Sequence, residues 1–472
     1  MTLFLKLLAF EWQWLLRYRL LLPVTCLVIM TAGCALYYGN AVTTERRHAA
    51  DSVYADYQHR FDSLLLKLCT ADTLTGEGKT TLKQLSHPVV VQFQLKPVTV
   101  LPAAPLSMLS IGMSDMEPWQ HRLELSWSYM HGEEKISNPL KLLTGNFDLS
   151  FLLIYIFPLL LMGITYNILS REKELGTYTL ILVQQKSILP LLTARLLLRW
   201  LLFFVLFTLP LLIVSLMQGG NIDGIGNWML ITAAYLTFWS LLLFLVISFN
   251  RSSAFNVILM TGIWLLLLVL LPALSRYGTD ENTPGTQTAT VAAEQREQEW
   301  ALWDLPQKQL LDSFYAHYPR YKDSHAYDTV SGSSRRTTAY YDLVARRMER
   351  FTAQDEAARQ KDLQALLHSY RFNPAVYAQS LFNLAAHTDA TDYLHYEEEV
   401  KAFHRQWKEH FFTYFFHDRN FTPEDYHALP TFQHKAAPYR NRRIYNGVGY
   451  LLLLSAICGA AGTFILKKKY HS

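Results

Sequence analysis

Twenty-two consecutive residues, Leu149 to Ser170, carry no charge, and the run stops abruptly at Arg171-Glu172-Lys173-Glu174-Leu175-Gly176-Thr177. At about 1.5 Å per helical residue the apolar part is roughly 33 Å long, enough to cross a hydrocarbon core, so the charges mark where the chain leaves a bilayer. Windows of at least about 18 residues free of Asp, Glu, Lys and Arg occur six times: Leu20 to Thr44, Leu149 to Ser170, Trp200 to Ile222, Gly224 to Asn250, Ser252 to Ser275 and Ile444 to Leu466. The expected fold is an α-helical polytopic membrane protein with six transmembrane helices and both termini on one side.

Basic residues near the window ends set the orientation. Lys6, Arg17 and Arg19 precede the first window, and Arg171, Lys173, Lys186, Arg195 and Arg199 lie between the second and third. Arg251 separates the fourth and fifth, and Lys467, Lys468 and Lys469 follow the sixth. All fall on one side of a six-span arrangement, which makes that side cytoplasmic. Arg440, Arg442 and Arg443 disagree, but they end a long translocated segment, where the charge rule loses force.

Composition agrees. Apolar residues make up 51% and charged residues 17%, yet the mean hydropathy is only +0.08, because large polar segments dilute the spans. A net charge of +4 on 472 residues gives no basis for nucleic-acid binding. Cys26, Cys34 and Cys458 lie in spans and Cys69 stands alone outside them, so no disulfide is expected in the outward parts. The first apolar run has no small-residue cleavage site and is expected to stay as an anchor.

Residues 1–19 form an amphipathic pattern with Leu3, Phe4, Leu7, Leu8, Trp12, Leu15 and Leu16 at helical spacing. They read as an interfacial cytoplasmic helix, with an early start of span one as the alternative. Span one proper covers 20–40. Two long segments then project outward, 41–148 and 276–443, on either side of spans two to five in 149–275. Span six covers 444–466, and 467–472 is a cytoplasmic tail. The first segment opens with a predicted helix, Glu45 to Leu68; past a Gly76-Glu77-Gly78 turn come β-type runs at Val89 to Leu95 and Arg122 to Tyr129. The second starts with a loop, Gly278 to Thr290, and then reads as helix over 291–316, 336–369, 373–387 and 391–417. A small α+β and a larger, mainly helical extracytoplasmic domain are expected. Pro158 and Gly163 in span two and Pro210 in span three are candidate kink sites.

The sequence contains no GxxxxGK[ST], HExxH, CxxC or Gly-x-Ser-x-Gly motif, so no catalytic or metal residues are assigned and the chain is not expected to be an enzyme. His404, His410 and His417 share one predicted helix, and the last two project to nearly one face, but almost two turns apart they are too far separated to grip one metal alone. Phe314, Tyr315, Tyr318 and Tyr321 form an aromatic group suited either to a partner surface or, the favoured use, to the domain's own core. The charged segment 170–187 suits a lever between two membrane helices, pushed by a soluble motor. A plain solvated loop is the alternative.

The segment Asn138 to Asp148, followed by a span ending in Thr165-Tyr166-Asn167-Ile168-Leu169-Ser170 and the charged stretch Arg171 to Thr177, resembles type-2 ABC transporter permeases, the ABC-2 superfamily. Ala402-Phe403-His404-Arg405-Gln406-Trp407 with Ala428-Leu429-Pro430-Thr431-Phe432 is similar to the branch with two large periplasmic domains, related to nitrous-oxide-reductase and multicopper-enzyme maturation permeases. The resemblance implies a permease dimer, with the same chain or a paralogue as second permease, and two ABC ATPase subunits. These partners would hold ATP and Mg, with no cofactor bound by this chain. It also implies coupling to the ATPase through Arg171, Glu172, Glu174, Gly176 and Thr177, and a connecting helix at 1–19 with Glu11 as its ionic contact. Asn167 and Asn256, near the cytoplasmic ends of spans two and five, are the polar candidates for a translocation path. Export of a substrate is the first functional expectation. The second is mechanical, with the periplasmic domains remodelling or maturing an envelope partner without transport.

Overall fold

Long stretches without charge or repeated helix breakers close their backbone hydrogen bonds within the segment, and helices result. The computed structural model describes residues 2–17, 21–72, 74–125, 146–184, 188–217, 224–277, 284–322, 332–438 and 441–471. Six helices among these are long and apolar enough to cross a membrane: Leu21–Thr70, Leu149–Glu174, Leu189–Leu216, Ile225–Ser248, Ser253–Leu274 and Asn441–Lys468. The chain is a mainly helical, multi-pass membrane protein.

Two of these differ from the sequence windows for physical reasons. Span one does not end near residue 44 but continues to Thr70 as one helix, because neither glycine nor proline occurs between Gly39 and Thr70 to break it. Span three starts at Leu189 rather than Trp200, because Arg195 and Arg199, which closed the window, are buried and compensated inside the helix bundle.

Spans four and two are buried over most of their apolar windows, 67% and 61%, whereas span five is buried over only 11%, so one broad face of span five is left open. Span six lies along span four. Spans two and five share an irregularity: a wide π-helical turn, Leu152–Ile156 in one and Leu266–Leu270 in the other, followed closely by Pro158 and Pro272. A proline nitrogen has no hydrogen for the carbonyls one turn back, and side chains fill the gap. Tyr235 donates to the Ile154 carbonyl at 3.1 Å, Trp264 Nε1 to that of Tyr155 at 3.1 Å, and Asn373 Nδ2 to that of Leu267. Pro210 sits inside an unbroken helix.

The two outward segments build one apolar core together. Leu64, Leu68, Leu85, Val91 and Leu95 from the first pack with Phe314, Tyr396, Phe403, Trp407 and Phe416 from the second. The first segment is also less β-rich than expected. Val89 to Leu95 is not a strand: Pro88–Gln94 is a helix, with proline in its first turn and His87 Nδ1 accepting from the Val89 amide at 3.3 Å. Gly76-Glu77-Gly78 is not a turn but the start of the helix Gly76–Leu85, capped by Thr75. Strands are confined, among the described residues, to Val98–Val100 and Gln120–Arg122, paired antiparallel with Thr99 opposite His121. The remainder of the expected run to Tyr129 lies beyond Leu125, outside the described residues, as do Asn138 to Gly145 and Arg440.

In the second segment the helix expected over 291–316 is two, Pro284–Trp303 and Gln307–His317, divided at Pro306, and the expected loop is helical from Pro284 onward. Gly332–Ser369, Pro374–Ala385 and Ala390–Phe416 follow. Pro374–Ala385 leaves the outward core and packs on the bundle, with Phe382 and Trp228 ring centroids 4.5 Å apart. At the same junction Asp148 caps span two by accepting from the Phe151 amide at 2.8 Å and also accepts from the Ile111 amide at 2.8 Å. Gly39 touches the turn Pro105–Met108 so closely that a Cβ would stand 1.9 Å from the Met108 carbonyl oxygen.

Candidate functional site

Span two loses regular helical form after Thr165, and the five-residue helix Ser170–Glu174 follows it. Carbonyls left open at such a break need donors. Span three supplies them: Arg199 Nε donates to the Ile164 carbonyl at 2.9 Å and Arg195 Nη1 to that of Ile168 at 2.7 Å.

Arg195 is the centre of the arrangement. Its Nη2 donates to Glu172 Oε1 at 2.9 Å, and its Nε lies 3.1 Å from Glu11 Oε2 on the helix Thr2–Leu16. The Nε contact is ionic, without hydrogen-bond alignment. Trp14, one turn beyond Glu11, presents its ring to Arg195 at 5.7 Å and to Arg171 at 5.9 Å. Thr177 Oγ1 donates to Glu172 Oε2, and Gly176 makes the reversal between them at a φ of +75° that glycine adopts without strain.

A second set of contacts ties the same elbow to the connection between spans four and five. Lys173 Nζ donates to the Asn250 carbonyl at 3.0 Å, Ser170 and Ser253 hydroxyls lie 2.7 Å apart, and Asn250 Nδ2 donates to the Tyr178 hydroxyl at 3.1 Å. The Glu174 carboxylate accepts from the Ser253 amide at 3.0 Å, in the first turn of span five, where a helix favours negative charge. What remains outward is Arg171 and an apolar group, Leu175, Leu180 and Val183, each more than 60% exposed.

The structure therefore brings Glu11, Glu172, Glu174, Gly176 and Thr177 to one place, with Arg171 on its rim. Glu11, at 2% exposure, makes its ionic contact within the chain, to Arg195. Asn256 is 1% exposed and donates to the Tyr166 carbonyl at 2.9 Å, which fastens span five to span two. Asn167, next to Tyr166, is half-buried. Sequence reasoning used Arg195 and Arg199 only as orientation markers. Their spacing of four on a leucine-rich helix, one face and one turn apart, was the available sign of a buried role.

The projecting domain has no group of three metal-ligating side chains among the described residues. His404 is buried with Nε2 2.8 Å from the Glu124 carbonyl oxygen, and burial together with the neighbouring Lys408 amine pushes its pKa down to about 4. Burial does the same to His121, also to about 4. His417 is exposed and His410 half-buried. Phe314, Tyr315 and Tyr321 are core residues, Phe314 stacking on Phe416 with centroids 4.1 Å apart, so they form no partner surface.

Residues 289–435 match the family described as a domain of unknown function, DUF3526, which covers about a third of the chain. No curated protein and no solved structure matches it.

Proposed function

We propose that this chain is the permease subunit of an ATP-driven transporter of the type-2 ABC kind, exporting its substrate with a separate ATPase on the cytoplasmic side. The observation that supports this reading is the interlocked elbow at Ser170–Glu174. It is fixed to the helix Thr2–Leu16, to span three and to span five through Arg195, Glu172 and Glu174, while Arg171, Leu175, Leu180 and Val183 remain available to a motor subunit. A push on such an elbow reaches three membrane elements at once. The open face of span five suits a second permease, the same chain or a paralogue, or membrane lipid.

The test is co-expression with candidate ATPases and assay of the complex in proteoliposomes. Glu174→Lys removes the carboxylate from the Ser253 amide and puts a cation at a helix start, and should uncouple ATP hydrolysis from export while the complex still assembles. Unchanged export would remove the elbow from the coupling route.

A mechanical role without transport is the second reading, favoured by one observation: Leu21–Thr70 runs unbroken from the bundle into the projecting domain. Inserting Gly-Pro-Gly after Arg47 would interrupt that rod. Export that survives the insertion speaks for transport, and loss of an envelope phenotype with ATPase activity retained speaks for the mechanical role.

A further inference from the structure

A cleft of about 730 Å³ opens in the projecting domain, between the helix Pro88–Gln94 of the first segment and the helices Gly332–Ser369 and Ala390–Phe416 of the second. Its size falls within the range of small-molecule sites, about 300–1,000 Å³. The acids along it are already committed: Glu124 to Lys96, Asp342 to Arg346 at 2.8 Å, and Asp418 to Arg335. Arg419 is likewise taken, by Asp425 at 3.0 Å.

Lys408 is different. It lines the cleft as a half-buried residue, and it makes no hydrogen bond or ion pair among the described residues. Asp342 and Glu349 act on it only at longer range, and burial lowers its pKa. A partly desolvated ammonium without a close partner is a cost to the fold. An anion entering the cleft offsets that cost.

The rest of the lining fits such a ligand. Ser334, Thr337, Thr338 and Tyr341 line the cleft from one helix at spacings of three and four, a single face carrying four hydroxyls, none with a hydrogen bond among the described residues. Phe93, 63% exposed, and Phe412 add aromatic surface to the same cleft. We propose that the cleft binds a small amphiphilic organic anion, a carboxylate head on an apolar body, with Lys408 recognising the head, the hydroxyl face orienting it and Phe93 and Phe412 holding the body. The site shares no residue with the charged elbow, and its test needs no ATPase.

The experiment uses the full chain in lipid nanodiscs and reads reductive methylation of Lys408 by peptide mass spectrometry, with octanoate, octanol and octylammonium as probes. Saturating octanoate should slow methylation of Lys408 by about tenfold, the scale of one charge-assisted hydrogen bond, leaving exposed Lys361 unaffected. Octanol and octylammonium should not protect it. Calorimetric titration with octanoate should lose its saturable component in Lys408→Met and keep it in Lys408→Arg. The Lys408→Met protein should melt no lower than wild type, since it loses an unpaired charge. Absence of octanoate protection, equal protection by octanol, wild-type binding by Lys408→Met, or a lowered melting temperature showing the amine already paired would each overturn the proposal.

Discussion

Arg195 and Glu11 face each other across 3.1 Å with 9% and 2% of their side chains exposed, joining the helix that precedes span one to the start of span three. Glu172 holds the other edge of the same guanidinium. Arg195→Met strands two carboxylates and should destabilise the protein by about 3–5 kcal/mol, the usual result of breaking a buried pair from one side. Glu11→Gln should cost less, because Arg195 keeps Glu172. Thermal unfolding of the purified variants decides; equal losses would mean that Glu172 carries little of the interaction.

The proline-linked carbonyls make a separate prediction. Tyr235→Phe removes the donor to Ile154 at a site shielded from water and should cost roughly 1–3 kcal/mol, with a similar loss for Trp264→Phe. Unfolding in bilayers is the measurement, and wild-type stability in both would mean that the carbonyls find other donors.

Gly39→Ala places a methyl 1.9 Å from the Met108 carbonyl oxygen, and backbone on both sides must separate to admit it. A fall in melting temperature of several degrees is expected, whereas Gly33→Ala, with open space around it, should be neutral or slightly stabilising.

Acid should weaken the projecting domain through its buried histidines. His404 and His121 titrate near 4 in the fold, against about 6.5 in the unfolded chain, so the unfolded chain takes up protons first as pH falls. Their stabilising contribution is complete above about pH 6.5 and is lost as pH falls toward 4, up to about 3 kcal/mol for each. Asp389, raised to about 6 chiefly by burial, works in the opposite direction over part of that range. Comparing His404→Gln with wild type isolates one term: the variant's melting temperature should depend less steeply on pH between 4 and 6.5. Parallel curves would assign the acid sensitivity elsewhere.

The long apolar helices were legible because bilayer thickness fixes the length such a helix needs, and the charge-free windows measure that length directly. The same charge criterion misplaced the start of span three, since a window rule treats Arg195 and Arg199 as leaving the bilayer when Glu11, Glu172 and two carbonyls compensate them inside the bundle. Val89-Val90-Val91 reads as strand by local preference, and a proline at the first helical turn with a capping His87 outweighs that preference. The charged elbow was visible as a motif, but its anchoring was not. Apart from Thr177, the partners that fix it come from other parts of the chain, and spacing along the sequence carries no information about such pairs.

The shared core of the two outward segments has a consequence for biogenesis. Leu64, Leu68 and Val91 are synthesised well before Phe314, Phe403 and Trp407, with spans two to five in between. At about 5–20 residues per second the half-built domain waits on the order of ten seconds or more with its apolar face uncovered. Folding there is post-insertional by construction, its closing step is a long-range docking, and neither half expressed alone has the surface it needs to become a stable module.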